Sequence, residues 1–120
     1  MQIDELQDYC LTKEHTTVDM PFDNTTLVFK VMGKMFALTR LTDWEKDQPT
    51  LNVKCDPEKA IELREQYDGV VTGGYHMSKK HWNTIKINDV MPDAEIFSWI
   101  DHSYELVVAS LTAKQRATFK

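Results

Sequence analysis

Apolar residues Ile3, Leu6, Cys10 and Leu11 recur at the three-to-four spacing of a helix, and Asp4, Glu5 and Asp8 crowd its N-terminal end, where the helix dipole favours acids. The pattern predicts a short helix ending near Leu11. The period then changes to two: residues 26–31, 34–41 and 50–54 are short alternating runs rich in β-branched and aromatic side chains, as strands are. Met32-Gly33 joins the first two as a tight hairpin. In the first run Leu27, Phe29 and Val31 share one face, opposite Thr26, Val28 and Lys30; in the third, Leu51 and Val53 oppose Thr50, Asn52 and Lys54. One face of the sheet is therefore expected to be wet and basic.

Asp56-Pro57 sets a capping carboxylate before a proline whose fixed φ suits the first helical position. That helix runs through Ala60, Ile61, Leu63 and Arg64 to Tyr67, with Gly69 as its stop. Val70-Val71-Thr72 is strand-like and Gly73-Gly74 breaks it. Residues 82–87 alternate again, with Trp82, Thr84 and Lys86 opposite Asn83, Ile85 and Ile87. Beyond Pro92, the set Ile96, Ile100, Ser103, Tyr104, Val107, Val108 and Leu111 marks a long amphipathic helix, and Thr112-x-x-Gln115 is the capping box of a last short one. The fold expected is α+β, an antiparallel sheet of four to five strands packed against helices in the order α-β-β-β-α-β-(β)-α, as a single domain over residues 1–120. Leu27, Phe29, Leu51, Val53, Ile85 and Ile87 should face the helices beneath Ile100, Tyr104, Val107 and Val108, with the Tyr104 hydroxyl bonded.

Length permits this core, because a 120-residue chain buries roughly two thirds of its unfolded surface. No apolar run is long enough to span a membrane, and the N-terminus lacks the basic and apolar regions of an export signal. A cytoplasmic location follows, with Cys10 and Cys55 as reduced, unpaired thiols. The net charge of −5 argues against a surface attractive to nucleic acid all over. Its distribution is lopsided: residues 1–25 carry six acids against Lys13, whereas residues 69–88 carry Lys79, Lys80 and Lys86 and no acid.

Few residues are spaced for chemistry. Asp101-His102-Ser103 invites a catalytic triad, but successive helical residues point about 100° apart and cannot converge. The four histidines and two cysteines show no metal-ligand spacing, and no phosphate-binding or nucleophile-elbow motif is present, so neither metal nor cofactor is expected. Cys55 lies between a strand and a helix start, where a thiol is either activated or buried and inert. There remains the run from Gly73 to Thr84, in which Tyr75, His76, Lys79, Lys80, His81 and Trp82 alternate cation and ring beside a diglycine, a mixture suited to phosphates and base stacking. The structural alternative puts Tyr75, Met77 and Trp82 in the core and leaves the lysines solvated on a single helical turn.

Pro21-Phe22, Phe29-Lys30-Val31, the stretch Gly33 to Leu38, the stretch Leu51 to Pro57, Gly74-Tyr75-His76-Met77-Ser78-Lys79-Lys80-His81-Trp82-Asn83-Thr84 and the stretch Asp101 to Val108 together resemble the MmcQ/YjbR-like family over nearly the whole chain. The resemblance implies a frataxin (CyaY)-like fold and a suggested role in DNA binding, and it brings no catalytic residues. A nonenzymatic accessory protein would then present Lys79, Lys80, Lys86, Lys30 and Lys54 to phosphates, with Trp82 or Tyr75 for stacking and His76 and His81 beside them. The alternative is a module that binds a small anionic ligand or an acidic protein with the same cluster. An enzyme would have only His76 or His81 as acid or base, with no second group identified. Asp23, where the family has glycine, and Phe97-Ser98-Trp99 depart from the pattern, the latter as a candidate contact for a partner.

Overall fold

A computed structural model describes residues 1–120. The chain forms α1 (Ile3–Leu11), β1 (Thr16–Asp19), β2 (Thr26–Val31), β3 (Lys34–Arg40), α2 (Leu41–Glu45), β4 (Thr50–Lys54), α3 (Pro57–Gln66), β5 (Val71–Gly73), β6 (Trp82–Lys86), α4 (Asp93–Ala109) and α5 (Ala113–Arg116). The strands make one six-stranded sheet in the order β1-β2-β3-β4-β6-β5, every neighbouring pair antiparallel. No helix is long and apolar enough to cross a membrane. The fold class is the expected α+β, with six strands rather than four to five. The added strand is β1, whose residues Thr-Thr-Val-Asp are mostly β-branched but too few, with one apolar side chain, to show an alternation; pairing from Thr16↔Val31 to Asp19↔Val28 fixes it as a strand. The short α2 was likewise not anticipated, and it begins at Leu41, where the second run was expected to end.

Local signals behave as their chemistry requires. Met32 and Gly33 have φ of 51° and 81°, the two positive values of a type I′ hairpin turn. Asp56 Oδ2 accepts from Lys59 N–H with Pro57 at the first helical position, and Thr112 and Gln115 exchange the reciprocal bonds of a capping box.

The core lies between one sheet face and the helices. Phe29, Val31, Leu51, Val53 and Ile85 pack beneath Ile96, Ile100 and Val107, all buried, while Leu27, Tyr104 and Val108 are half-buried at its margin. Each fully buried side chain of this size contributes about 1.5–3 kcal/mol, so this layer dominates stability. Between β2 and β3 the register passes from Phe29↔Ala37 to Lys30↔Met35, so Phe36 is the extra residue of a bulge. Phe36 and Ala37 both enter the core, and Met35 and Leu38 turn to the opposite face.

Four successive residues fasten α4. Asp101 accepts from the Tyr9 hydroxyl at 2.7 Å and pairs with Lys13; His102 Nε2 accepts from Asp56 N–H at 3.1 Å. Ser103 Oγ donates to Phe36 C=O at 2.6 Å and accepts from Lys54 N–H at 2.9 Å, and the Tyr104 hydroxyl donates to Glu14 C=O at 2.6 Å. The side chains diverge to four different elements or loops, so the run is structural. Phe97 stacks on Tyr9 at 4.2 Å and Trp99 Nε1 donates to Glu95, so both rings are half-buried against the domain with Ser98 exposed between them.

Candidate functional site

No helix covers the second face of the sheet, and its side chains stand in rows set by the strand register. One row runs Val28, Leu38, Asn52, Thr84, Thr72 across β2, β3, β4, β6 and β5. On one side of it Thr50 pairs with Lys86 and Thr26 with Arg40; on the other, Lys54 pairs with Trp82 and Lys30 with Met35. The expectation of a wet, basic face is corrected at its centre. Val28 and Leu38, paired across β2 and β3, are buried, and the bulge adds Met35. The cations stand only toward its ends.

A cleft of about 580 Å³ occupies this centre. Leu38 and Met35 give it an apolar floor, Thr50, Asn52, Thr72 and Thr84 a polar one, and Phe22, Arg40, Tyr75, His76 and Met77 line it further. Phe22 and Tyr75 are 64% and 56% exposed, so the cleft is bordered by two aromatic rings largely open to solvent. Tyr75 therefore does not join the core, contrary to the structural alternative, whereas Met77 and Trp82 are half-buried.

Each wall is fixed by identifiable bonds. Asp23 accepts from the N–H groups of Thr25 and Thr26, both at 2.8 Å, and these bonds hold its carboxyl below the ordinary range. The departure from glycine thus serves as the turn former that carries Phe22 into β2. On the other wall, Gly74 N–H donates to Trp82 C=O at 2.8 Å and Tyr75 N–H to Thr84 Oγ1 at 3.1 Å; Thr84 passes its hydrogen to Asn52 Oδ1. A Cβ on Gly74 would lie 2.7 Å from that of Trp82, so only glycine permits this approach. His76 holds a φ of 58°, and its ring lies 4.0 Å from that of Tyr75 between centroids. Arg40 is braced by Asp43, Nε to Oδ2 at 3.2 Å and Nη2 to Oδ1 at 3.1 Å, while Thr50 Oγ1 donates to the same carboxylate at 2.8 Å. The guanidinium lies 5.4 Å from the Tyr75 ring centre, a cation–π contact.

Of the residues expected to form one binding cluster, Tyr75 and His76 line this cleft. Lys86 lines a second cleft of about 410 Å³ that shares Arg40 and Thr50 with the first. Lys54 and Trp82 stand side by side at the far end of the face, and Lys30 pairs with Asp19 at 3.4 Å. Lys79 turns back, donating to Gly74 C=O at 3.3 Å, and Lys80 and His81 are exposed on the following turn; none of the three lines either cleft. Arg40, Asn52, Thr84 and Phe22 were not anticipated. The parity of β4 and β6 already put Asn52 and Thr84 on the right face, but nothing local separates a threonine lining a cleft from one facing water.

The YjbR family model matches residues 11–106. The protein YjbR of Escherichia coli (strain K12) is 30% identical over 116 residues, 97% of this chain and 95% of its own length. YbdF of Escherichia coli O157:H7 is 33% identical over 96 residues, 80% of this chain and 75% of its own. Among solved structures, Deinococcus radiodurans protein DR2400, described as a DUF419 domain, superposes with a TM-score of 0.88 at 36% identity, covering 97% of this chain and 86% of that one. A Pseudomonas syringae protein gives 0.72 at 25% identity, over 88% and 98%.

Proposed function

The chain belongs to the YjbR family, and from that premise we propose that it is a nonenzymatic binding module whose ligand seats in the cleft on the open sheet face. One observation carries the reading: Phe22 and Tyr75, the two most exposed aromatic side chains among the large hydrophobics, border the same concave surface. Exposed rings around a cleft of several hundred Å³ with a mixed apolar and hydrogen-bonding floor are the ordinary makeup of a small-ligand site. The cytoplasm is its proposed location, in keeping with two unpaired buried thiols.

The nucleic-acid reading keeps a narrower support, the placing of Lys30, Lys54, Lys86 and Trp82 on one open face. Against it stand the net charge of −5, the pairing of Lys30 with Asp19 and the inward turn of Lys79.

Amide chemical-shift mapping separates the two. A fragment library should perturb Leu38, Asn52, Tyr75 and Thr84 in wild type and lose its effect in Tyr75→Ala. A 12-base-pair DNA duplex should bind weakly and without a steep salt dependence. A slope of log K against log salt of about −3 to −4.5, flattened by about two in Lys79→Ala/Lys80→Ala, with shifts following the lysines, would instead establish phosphate binding.

A further inference from the structure

Most hydrogen-bonding groups of the cleft are spent on one another, threonine hydrogens as well as carboxylate and amide oxygens, and two nitrogen donors are left over. Thr26 and Thr50 give their hydroxyl hydrogens to Asp23 and Asp43, and Thr84 gives its own to Asn52 Oδ1. Asp23, the carboxylate lining the cleft, is occupied by the backbone of its own turn. The Asn52 side-chain amide nitrogen has no partner in the protein. Arg40 meets Asp43 through Nε and Nη2, which leaves Nη1, and with it the second edge of the guanidinium fork, unbonded. That edge matches a carboxylate bidentately, and Asp43 together with Thr50 prevents the side chain from swinging away. The Arg40 side chain is 46% exposed against 12% for Asp43, so the bracing carboxylate is largely covered while the arginine stays accessible.

The neighbourhood also bounds the ligand's charge. Arg40 is paired with Asp43, and the second cleft adds Lys86 and Asp47, so two cations meet two acids where the two clefts join. A chain of phosphates would meet Asp23, Asp43 and Asp47; a single negative group meets the open edge of Arg40. Beside that edge the Tyr75 ring, already touching the guanidinium and open to solvent, offers a stacking platform over the apolar floor.

We propose that the cleft takes a planar aromatic monocarboxylate, its carboxylate on the unbonded edge of Arg40 and its ring against Tyr75; this rests on the cleft being the ligand site. The probe is 2-naphthoate, compared with the neutral 2-naphthamide, with cyclohexanecarboxylate and with adenosine 5′-monophosphate, each followed by amide and arginine side-chain shifts. 2-Naphthoate should shift Arg40, Asn52 and Tyr75 and bind at least tenfold more tightly than the amide or the cyclohexane acid, and more tightly than the nucleotide. Arg40→Lys, which keeps the charge and removes the fork, should weaken it about tenfold. Tyr75→Leu, at an exposed position that leaves the fold intact, should weaken it several-fold. Equal binding of naphthoate and naphthamide at these residues, or indifference to both substitutions, overturns the monocarboxylate while the cleft stands as the site. Preference for the nucleotide overturns it in favour of a phosphate ligand. Shifts from every probe falling outside the cleft overturn both readings.

Discussion

Nε of Arg64 donates to Oδ1 of Asn83 at 2.7 Å, joining α3 to a β6 residue with no solvent exposure. The same guanidinium bonds the carbonyls of Lys79 and Trp82, and Asn83 Nδ2 donates to Ala60 C=O at 3.3 Å. One side chain thus anchors the segment that builds the Tyr75 wall. Arg64→Met should cost about 1–3 kcal/mol in denaturant titration, because a buried amide oxygen loses its partner. Hydrogen exchange should also quicken between residues 74 and 82. Unchanged exchange there would separate the arginine from the wall.

Ser103 bridges β3 and β4 from α4, and its hydroxyl serves as donor and acceptor at once. Ser103→Ala should cost about 1–3 kcal/mol, since the Lys54 N–H and the Phe36 carbonyl both lose a partner. Tyr104→Phe frees only the Glu14 carbonyl at a half-buried edge, and should cost less, about 0.5–1.5 kcal/mol. The reverse order in urea melts would contradict this assignment.

His102 must stay unprotonated at Nε2 to accept the Asp56 N–H, and burial first, with Lys59 second, holds its imidazole below the usual value of 6.5. A depressed folded pKa contributes stability that is present above the unfolded value and is lost as pH falls below it. Between pH 7 and pH 5 wild type should therefore lose stability faster than His102→Gln, whose amide oxygen accepts without titrating. Parallel pH profiles would remove His102 from the acid response.

Burial pushes the Cys10 thiol up to about 12 and the Cys55 thiol up to about 11, so Cys55 is not activated by the helix start that follows it. Both are free and buried. Native protein at pH 8 should resist a thiol reagent, and unfolding without reductant should release two reactive thiols. Raised folded values also place their contribution to stability below the unfolded pKa, about 8.5, to be lost as pH climbs toward 11–12. Rapid labelling of Cys55 in the native state would contradict the burial.

Much of the fold could be read along the chain because the responsible forces are local or periodic. Alternation in β2, β4 and β6 put Leu27, Phe29, Leu51, Val53, Ile85 and Ile87 on the helix side, where they pack. Asp56-Pro57 and Thr112-x-x-Gln115 mark helix starts through bonds spanning three residues. The four fasteners of α4 were legible only as a pattern, since their partners lie between 46 and 92 residues away.

What the sequence determined by itself is therefore which residues of β2, β4 and β6 face the core, where α3 and α4 begin, and that Lys30, Lys54 and Lys86 share the open face. The cleft was decided by tertiary structure. β1 exists because β2 offers it hydrogen bonds; the bulge at Phe36 turns Met35 and Leu38 outward; and Arg40, which no local signal distinguishes, becomes a held donor only when α2 and β4 bring Asp43 and Thr50 to it. A period along one strand says which way a side chain points, but strand pairing decides what stands beside it.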